Sequence, residues 1–101
     1  MENEKAQRRG GVKRIHGIIS GDVVGVGLRS WVRKVAVDNH LNGWVKNRED
    51  KTVELVAEGE QEGLEKLIAT CKRGPDVAWV ERVDIQWSKA TGEFVNFEVV
   101  Y

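Results

Sequence analysis

Ser20 to Arg29 reads S-G-D-V-V-G-V-G-L-R, with Gly21, Gly25 and Gly27 placed where a β-branched segment gives way to a helical one. Glycine lets backbone amides turn toward a ligand without a steric penalty. A run of such amides ahead of a helix N-terminus forms an anion-binding nest, and the helix adds roughly half a positive charge there. Arg29 falls in the first helical turn, within reach to fork onto the same anion with paired N–H donors. The chemistry on offer is a seat for a phosphate-sized dianion, built from Asp22, Val23, Val24, Gly25, Val26, Gly27, Leu28 and Arg29. The plainer alternative is a tight strand-to-helix turn with Arg29 as a surface charge. The loop alone leaves both open.

Better-known phosphate loops are excluded. The string G-x-x-x-x-G-K-[ST] does not occur. The fingerprint G-x-G-x-x-G begins at Gly25 and Gly27 but meets Ser30 where its last glycine belongs, and the chain is too short for that domain. A cysteine phosphatase wants arginine six residues after its cysteine, whereas Cys71 is followed there by Val77. Cys71 sits on an apolar stripe, which predicts a small buried thiol. His16 is expected on the uncovered side of a sheet and His40 in the last turn of a helix; neither has a partner at metal-ligand spacing. The acidic run from Glu58 to Glu65 reads as a solvated helix start.

These residues need elements to position them. Leu28, Trp31, Val32, Val35 and Ala36 recur with helical period, and Asn42-Gly43 supplies a stop. Leu64, Leu67, Ile68 and Cys71 repeat that spacing in a second helix, with Glu60, Glu62 and Glu65 at its start, Lys72 and Arg73 at its end, and Gly74-Pro75 beyond. Strands are expected at Val12 to Ser20, Trp44 to Arg48, Thr52 to Ala57, Val77 to Trp87 and Phe94 to Val100, with a hairpin turn at Glu49-Asp50-Lys51. The order β-α-β-β-α-β plus a last strand predicts an α+β, ferredoxin-like sandwich: an antiparallel sheet with both helices on one face. That fold hosts many functions and decides none by itself.

Composition narrows the field. The chain has 101 residues, enough for one domain, expected at 12–101 behind a flexible polar tail at 1–11. Sixteen basic residues balance sixteen acidic ones, which argues against nucleic-acid binding. Trp31, Trp44, Trp79 and Trp87 are expected to pack in the core or on the sheet rather than stack on bases. No apolar run approaches the ~20 residues of a membrane helix. One cysteine precludes an internal disulfide. A cytoplasmic monomer without a metal or other cofactor is expected.

A second motif sharpens the first. Gly43 to Asn47 reads G-W-V-K-N and opens the second strand. With the loop, it resembles the acylphosphatase family, whose motifs are G-x-V-Q-G-V-x-F-R and G-x-V-x-N. Gly21, Val23, Gly25, Val26 and Arg29 match the first motif; Gly43, Val45 and Asn47 match the second. The similarity continues through Val53-Glu54, Ala57-Glu58-Gly59 and Gly74-Pro75, and runs from about Val12 to Tyr101. Val24 replaces the usual glutamine, Leu28 the usual phenylalanine, and Lys51 the usual turn glycine. Asp22 adds a carboxylate at a variable position, where it repels phosphate unless its side chain points outward.

The resemblance implies hydrolysis of a carboxyl–phosphate anhydride to a carboxylate and inorganic phosphate. It implies catalytic roles for Arg29 and Asn47. The leaving carboxylate belongs to an acid of pKa ~4 and needs little help, so no strong general base is required. The alternative is a non-catalytic module of the same fold that binds phosphate or acyl phosphate. Asn47 argues against that alternative, since a pure binder has no water to position.

Overall fold

The computed structural model describes residues 12–76 and 78–101, so the expected tail at 1–11 and Val77 lie outside the described residues. The elements are β1 (Val12–Asp22), α1 (Leu28–Asp38), β2 (Asn42–Asn47), β3 (Val53–Glu60), α2 (Gln61–Arg73), β4 (Trp79–Lys89) and β5 (Phe97–Val100). The five strands form one sheet in the order β4-β1-β3-β2-β5. Neighbours are antiparallel except β5, which joins the edge of β2 in parallel. The expected βαββαβ sandwich is therefore present, and its last strand makes the sheet mixed. Among the described residues, no helix is long and apolar enough to cross a membrane.

Strand alternation divides the sheet residues between two faces. Ile15 and Ile19 of β1, Val45 of β2, and Val53, Leu55 and Ala57 of β3 are buried on the helix side. They meet Leu28, Val32 and Ala36 of α1 and Leu64, Leu67 and Cys71 of α2, which form the core with Phe97 of β5. These are the periodic positions read from the sequence, with Trp31, Val35 and Ile68 partly buried beside them. Burial pushes the Cys71 thiol up to about 12, so it stays protonated and unreactive at neutral pH.

Three local details depart from expectation. Asn42-Gly43 already belongs to β2 and does not stop α1. The stop is Asn39, whose side-chain amide donates to the Val35 carbonyl at 2.9 Å. His40 follows at φ 60°, beyond the last helical turn. The third departure is Glu58. It lies in β3, only 5% exposed, rather than on a solvated helix start. Its carboxylate accepts from the backbone amides of Thr91 (2.8 Å) and Gly92 (3.0 Å), from the Thr91 hydroxyl (3.0 Å) and from Arg14 (3.1 Å). It thereby anchors the 90–96 connection that carries the chain from β4, at one edge of the sheet, to β5 at the other.

Burial alone would raise the Glu58 pKa, but these donors outweigh it and hold the carboxyl below its ordinary 4.5. A carboxyl whose folded pKa is depressed stabilises the fold fully above its unfolded pKa, and that stability is lost as pH falls through the folded value. Wild type should therefore lose stability as pH drops below 4.5. Glu58→Gln should be weaker by about 2 kcal/mol at pH 7, the worth of charge-assisted bonds, and the gap should close in acid. Urea midpoints at pH 7 and pH 3 measure both.

The β2–β3 hairpin carries its own strain. Lys51 stands at φ 70°, a left-handed conformation that costs a non-glycine residue roughly 1–2 kcal/mol. The turn is held by Arg48 N–H to the Thr52 carbonyl (2.8 Å) and by Asp50, which accepts from the Thr52 amide (3.1 Å) and hydroxyl (2.5 Å). Lys51→Gly should raise stability by about 1 kcal/mol, which lifts the thermal midpoint by about 4–8 °C in a domain of this size. Lys51→Ala keeps the strain and should show no such gain.

Candidate active site

The two ladders of β1 end at different places. Pairing with β3 stops at Ile19 opposite Val53. Pairing with β4 shifts register between Ser20 and Gly21 and continues to Asp22 opposite Trp79. β1 thus parts from β3 and follows β4, which opens a fork at this end of the sheet. The loop 23–27 and the N-terminus of α1 form one side of the fork. The β2–β3 hairpin forms the other. Val53 also pairs with Asn47, so Asn47 stands level with the parting and on the helix side of the sheet.

The motif glycines serve two separate purposes. Gly21 and Gly43 are demanded by close packing: a Cβ would sit 2.1 Å from the Trp79 carbonyl oxygen or 1.9 Å from that of Val56. Gly25 (φ 83°) and Gly27 (φ 79°) instead have no atom within 4 Å of where a Cβ would be. They are required for the left-handed turns of the loop, and open space lies beside them. Val23, between the two kinds, is buried and pins the loop to the core.

The start of α1 is electrostatically bare. Gly27 caps it with no side-chain hydrogen bond, and no acidic residue occupies its first turn. Its partial positive charge is left for an anion. By contrast, α2 carries Glu62 in its first turn. Asp22 is exposed and stands opposite Trp79 across the β1–β4 ladder, on the face of the sheet opposite Asn47. Val24 is also exposed.

Arg29 is half-buried and held from the far side of the fork. Its Nη1 donates to the Val100 carbonyl at 3.3 Å, and its guanidinium carbon lies 4.5 Å from the centre of the Tyr101 ring. Val100 pairs with Lys46, the residue before Asn47. One residue along a strand and one strand spacing separate positions by about 6 Å, so the guanidinium is brought to the Asn47 end of β2. Only one of its five N–H donors is used by Val100, which leaves a fork for an anion. The sequence reading missed Val100 and Tyr101, because nothing in it signals that β5 lies beside β2.

A depression of about 580 Å³ is lined by Lys46, Asn47, Arg48, Glu49, Asp50 and Glu54. Two of its carboxylates, Asp50 and Glu54, are engaged by neighbours. Hydrogen bonds from the Thr52 hydroxyl and amide, with Arg48 nearby, lower the Asp50 pKa despite a small opposing desolvation. Glu54 is 2.6 Å from His16 Nε2 on the opposite face of the sheet from Asn47. His16 thus lies on the helix-free face, as expected. Among the described residues, no group of three or more His, Cys, Asp or Glu side chains is arranged to hold a metal ion.

An acylphosphatase family model matches residues 15–99. An acylphosphatase from Pelotomaculum thermopropionicum is 43% identical over 88 residues, spanning 87% of this chain and 96% of that one. The crystal structure of acylphosphatase from Bacillus subtilis aligns with a TM-score of 0.85 at 34% identity, covering 88% of this chain and 99% of that one. An acylphosphatase structure from Coxiella burnetii gives the same TM-score at 36% identity, with 93% and 98% covered.

Proposed function

Since this chain belongs to the acylphosphatase family, we propose that its loop and Arg29 bind the phosphoryl group of an acyl phosphate while Asn47 orients the attacking water. The chain is a hydrolase: water and an acyl phosphate become a carboxylate and inorganic phosphate. The amides of residues 22–28 and the Arg29 guanidinium surround the equatorial oxygens, where negative charge is concentrated in the transition state. The Asn47 side-chain oxygen accepts a hydrogen bond from water and aims it at phosphorus, opposite the departing carboxylate.

No enzyme base is invoked. The leaving group is the anion of an acid of pKa ~4, and the phosphoryl oxygens take the water's proton. This reading needs no metal or other cofactor and no nucleic acid or membrane. It fits a single copy of the chain acting in the cytoplasm.

The observation that supports it most directly is the fork itself. The strand register puts Asn47, the bare start of α1 and an arginine tied to Val100 at one end of one sheet. The test is hydrolysis of benzoyl phosphate with inorganic phosphate as a competitive inhibitor. Turnover without phosphate competition, or phosphate binding without turnover, overturns the assignment.

A further inference from the structure

We propose that Arg33 is a positioning residue for this reaction: by gripping the open edge of β5 it fixes the strand from which Arg29 is aimed. This rests on the reading above, in which the Arg29 guanidinium meets the phosphoryl group.

β5 is a short edge strand. It has four residues, stands at the end of the strand order and pairs with β2 alone, in parallel. Parallel pairing is slightly less stable per residue than antiparallel pairing. Among the described residues no further strand covers its outer side.

Two arginines of α1 meet this strand from opposite sides. The Gly43 amide donates to the Asn96 carbonyl at 2.8 Å. Successive carbonyls alternate in direction along a strand, so the Phe97 carbonyl faces away from β2, onto the open edge, and the Val100 carbonyl faces toward β2. Arg33 Nε donates to the Phe97 carbonyl at 3.1 Å, and Arg29 Nη1 donates to the Val100 carbonyl at 3.3 Å. Arg29 and Arg33 are four residues apart and therefore neighbours on one helix face. α1 thus holds the first and the last residue of β5, one on each edge.

The two contacts differ in what they can do for the reaction. Phe97 pairs with Gly43, four residues before Asn47, which is about 13 Å along the strand. The Arg33 guanidinium is engaged there, away from the reacting atoms. Arg29 leans on Val100, at the end of the same strand. A hydrogen bond to a strand end orients the guanidinium only while that end keeps its place, and the Arg33 contact resists sliding of β5 along α1. Arg33 therefore acts through Arg29.

A cycle of variants at the two positions tests this, with benzoyl phosphate as substrate and inorganic phosphate as inhibitor. Arg33 is exposed, so Arg33→Met is accommodated; it keeps an unbranched stem and removes the donor. It should lower kcat/KM about tenfold, as expected for losing one charge-assisted hydrogen bond, and raise the phosphate inhibition constant in step. Arg33→Lys, whose ammonium can still donate to the Phe97 carbonyl, should recover most of both. In an Arg29→Ala background, Arg33→Met should change kcat/KM by no more than about twofold, because the group it positions is gone. A tenfold loss that persists in that background means that Arg33 acts on the phosphate directly or on the fold at large, and overturns the positioning role. Unchanged kinetic constants in Arg33→Met, with or without a lower thermal midpoint, leave Arg33 a structural role and overturn it as well, while the phosphate seat stands. If Arg29→Ala itself leaves phosphate inhibition unchanged, the seat fails and the role of Arg33 falls with it.

Discussion

Arg29→Ala is expected to lose phosphate binding and turnover together. In the proposed site the guanidinium meets the phosphoryl oxygens, and removing one such preorganised donor costs about 10²–10³ in rate. Arginine also carries a full charge, so the loss should reach or exceed the top of that range. The inhibition constant for inorganic phosphate should rise in step, because phosphate uses the same contacts. Arg29→Lys separates charge from geometry. It keeps a cation but gives up the two-pronged donor and its stacking on Tyr101, so it should fall between wild type and alanine. Steady-state kinetics with phosphate as inhibitor read both quantities. An unchanged inhibition constant in Arg29→Ala overturns the role given to this residue.

Asn47→Ala should behave differently. Turnover should fall by about 10²–10³, while phosphate still binds as in wild type, because in the proposed mechanism the carboxamide holds water rather than the anion. The residue is half-buried at the end of β2, paired only with Val53, so alanine is accommodated without unfolding. Asn47→Asp supplies a useful contrast. An aspartate accepts a hydrogen bond from water equally well but sets a negative charge beside the phosphate. It should therefore weaken phosphate inhibition as well as slow turnover. Should Asn47→Ala hydrolyse benzoyl phosphate at the wild-type rate, water positioning belongs elsewhere.

Much of this is legible in the sequence, and the reason is local. The Leu28 to Ala36 and Leu64 to Cys71 stripes are short-range patterns that helices must display to cover a sheet. Gly21 and Gly43 are fixed by close packing and Gly25 by a left-handed backbone, constraints that leave a mark in sequence. What escaped notice depends on residues far apart in the chain. In sequence Glu58 is indistinguishable from its acidic neighbours; Thr91, Gly92 and Arg14, which surround it, lie far away in the chain. Nothing in the sequence marks Val100 and Tyr101 as the groups that hold Arg29, because the parallel seat of β5 follows from a connection across the sheet. The sequence placed the outer ends of β1 and β3 too early, since the residues beyond Ser20 and Ala57 are polar or glycine and continue only through their ladders. His40 and Lys51 adopt left-handed backbones without the glycine that normally announces one.

The strand order also governs time. β1, which leaves the ribosome before the other described strands, sits between β3 and β4, and its partner residues on β4 extend as far as Lys89. A ribosome adding about 5–20 residues per second therefore holds β1 with one bare edge for several seconds before the matching strand exists. Sheets made from such distant segments assemble in roughly milliseconds to seconds rather than microseconds. For this chain the hazardous interval is nascent: β1, with Ile15, Ile18 and Ile19 in it, stays open to mispairing until β4 has been synthesised as far as Lys89.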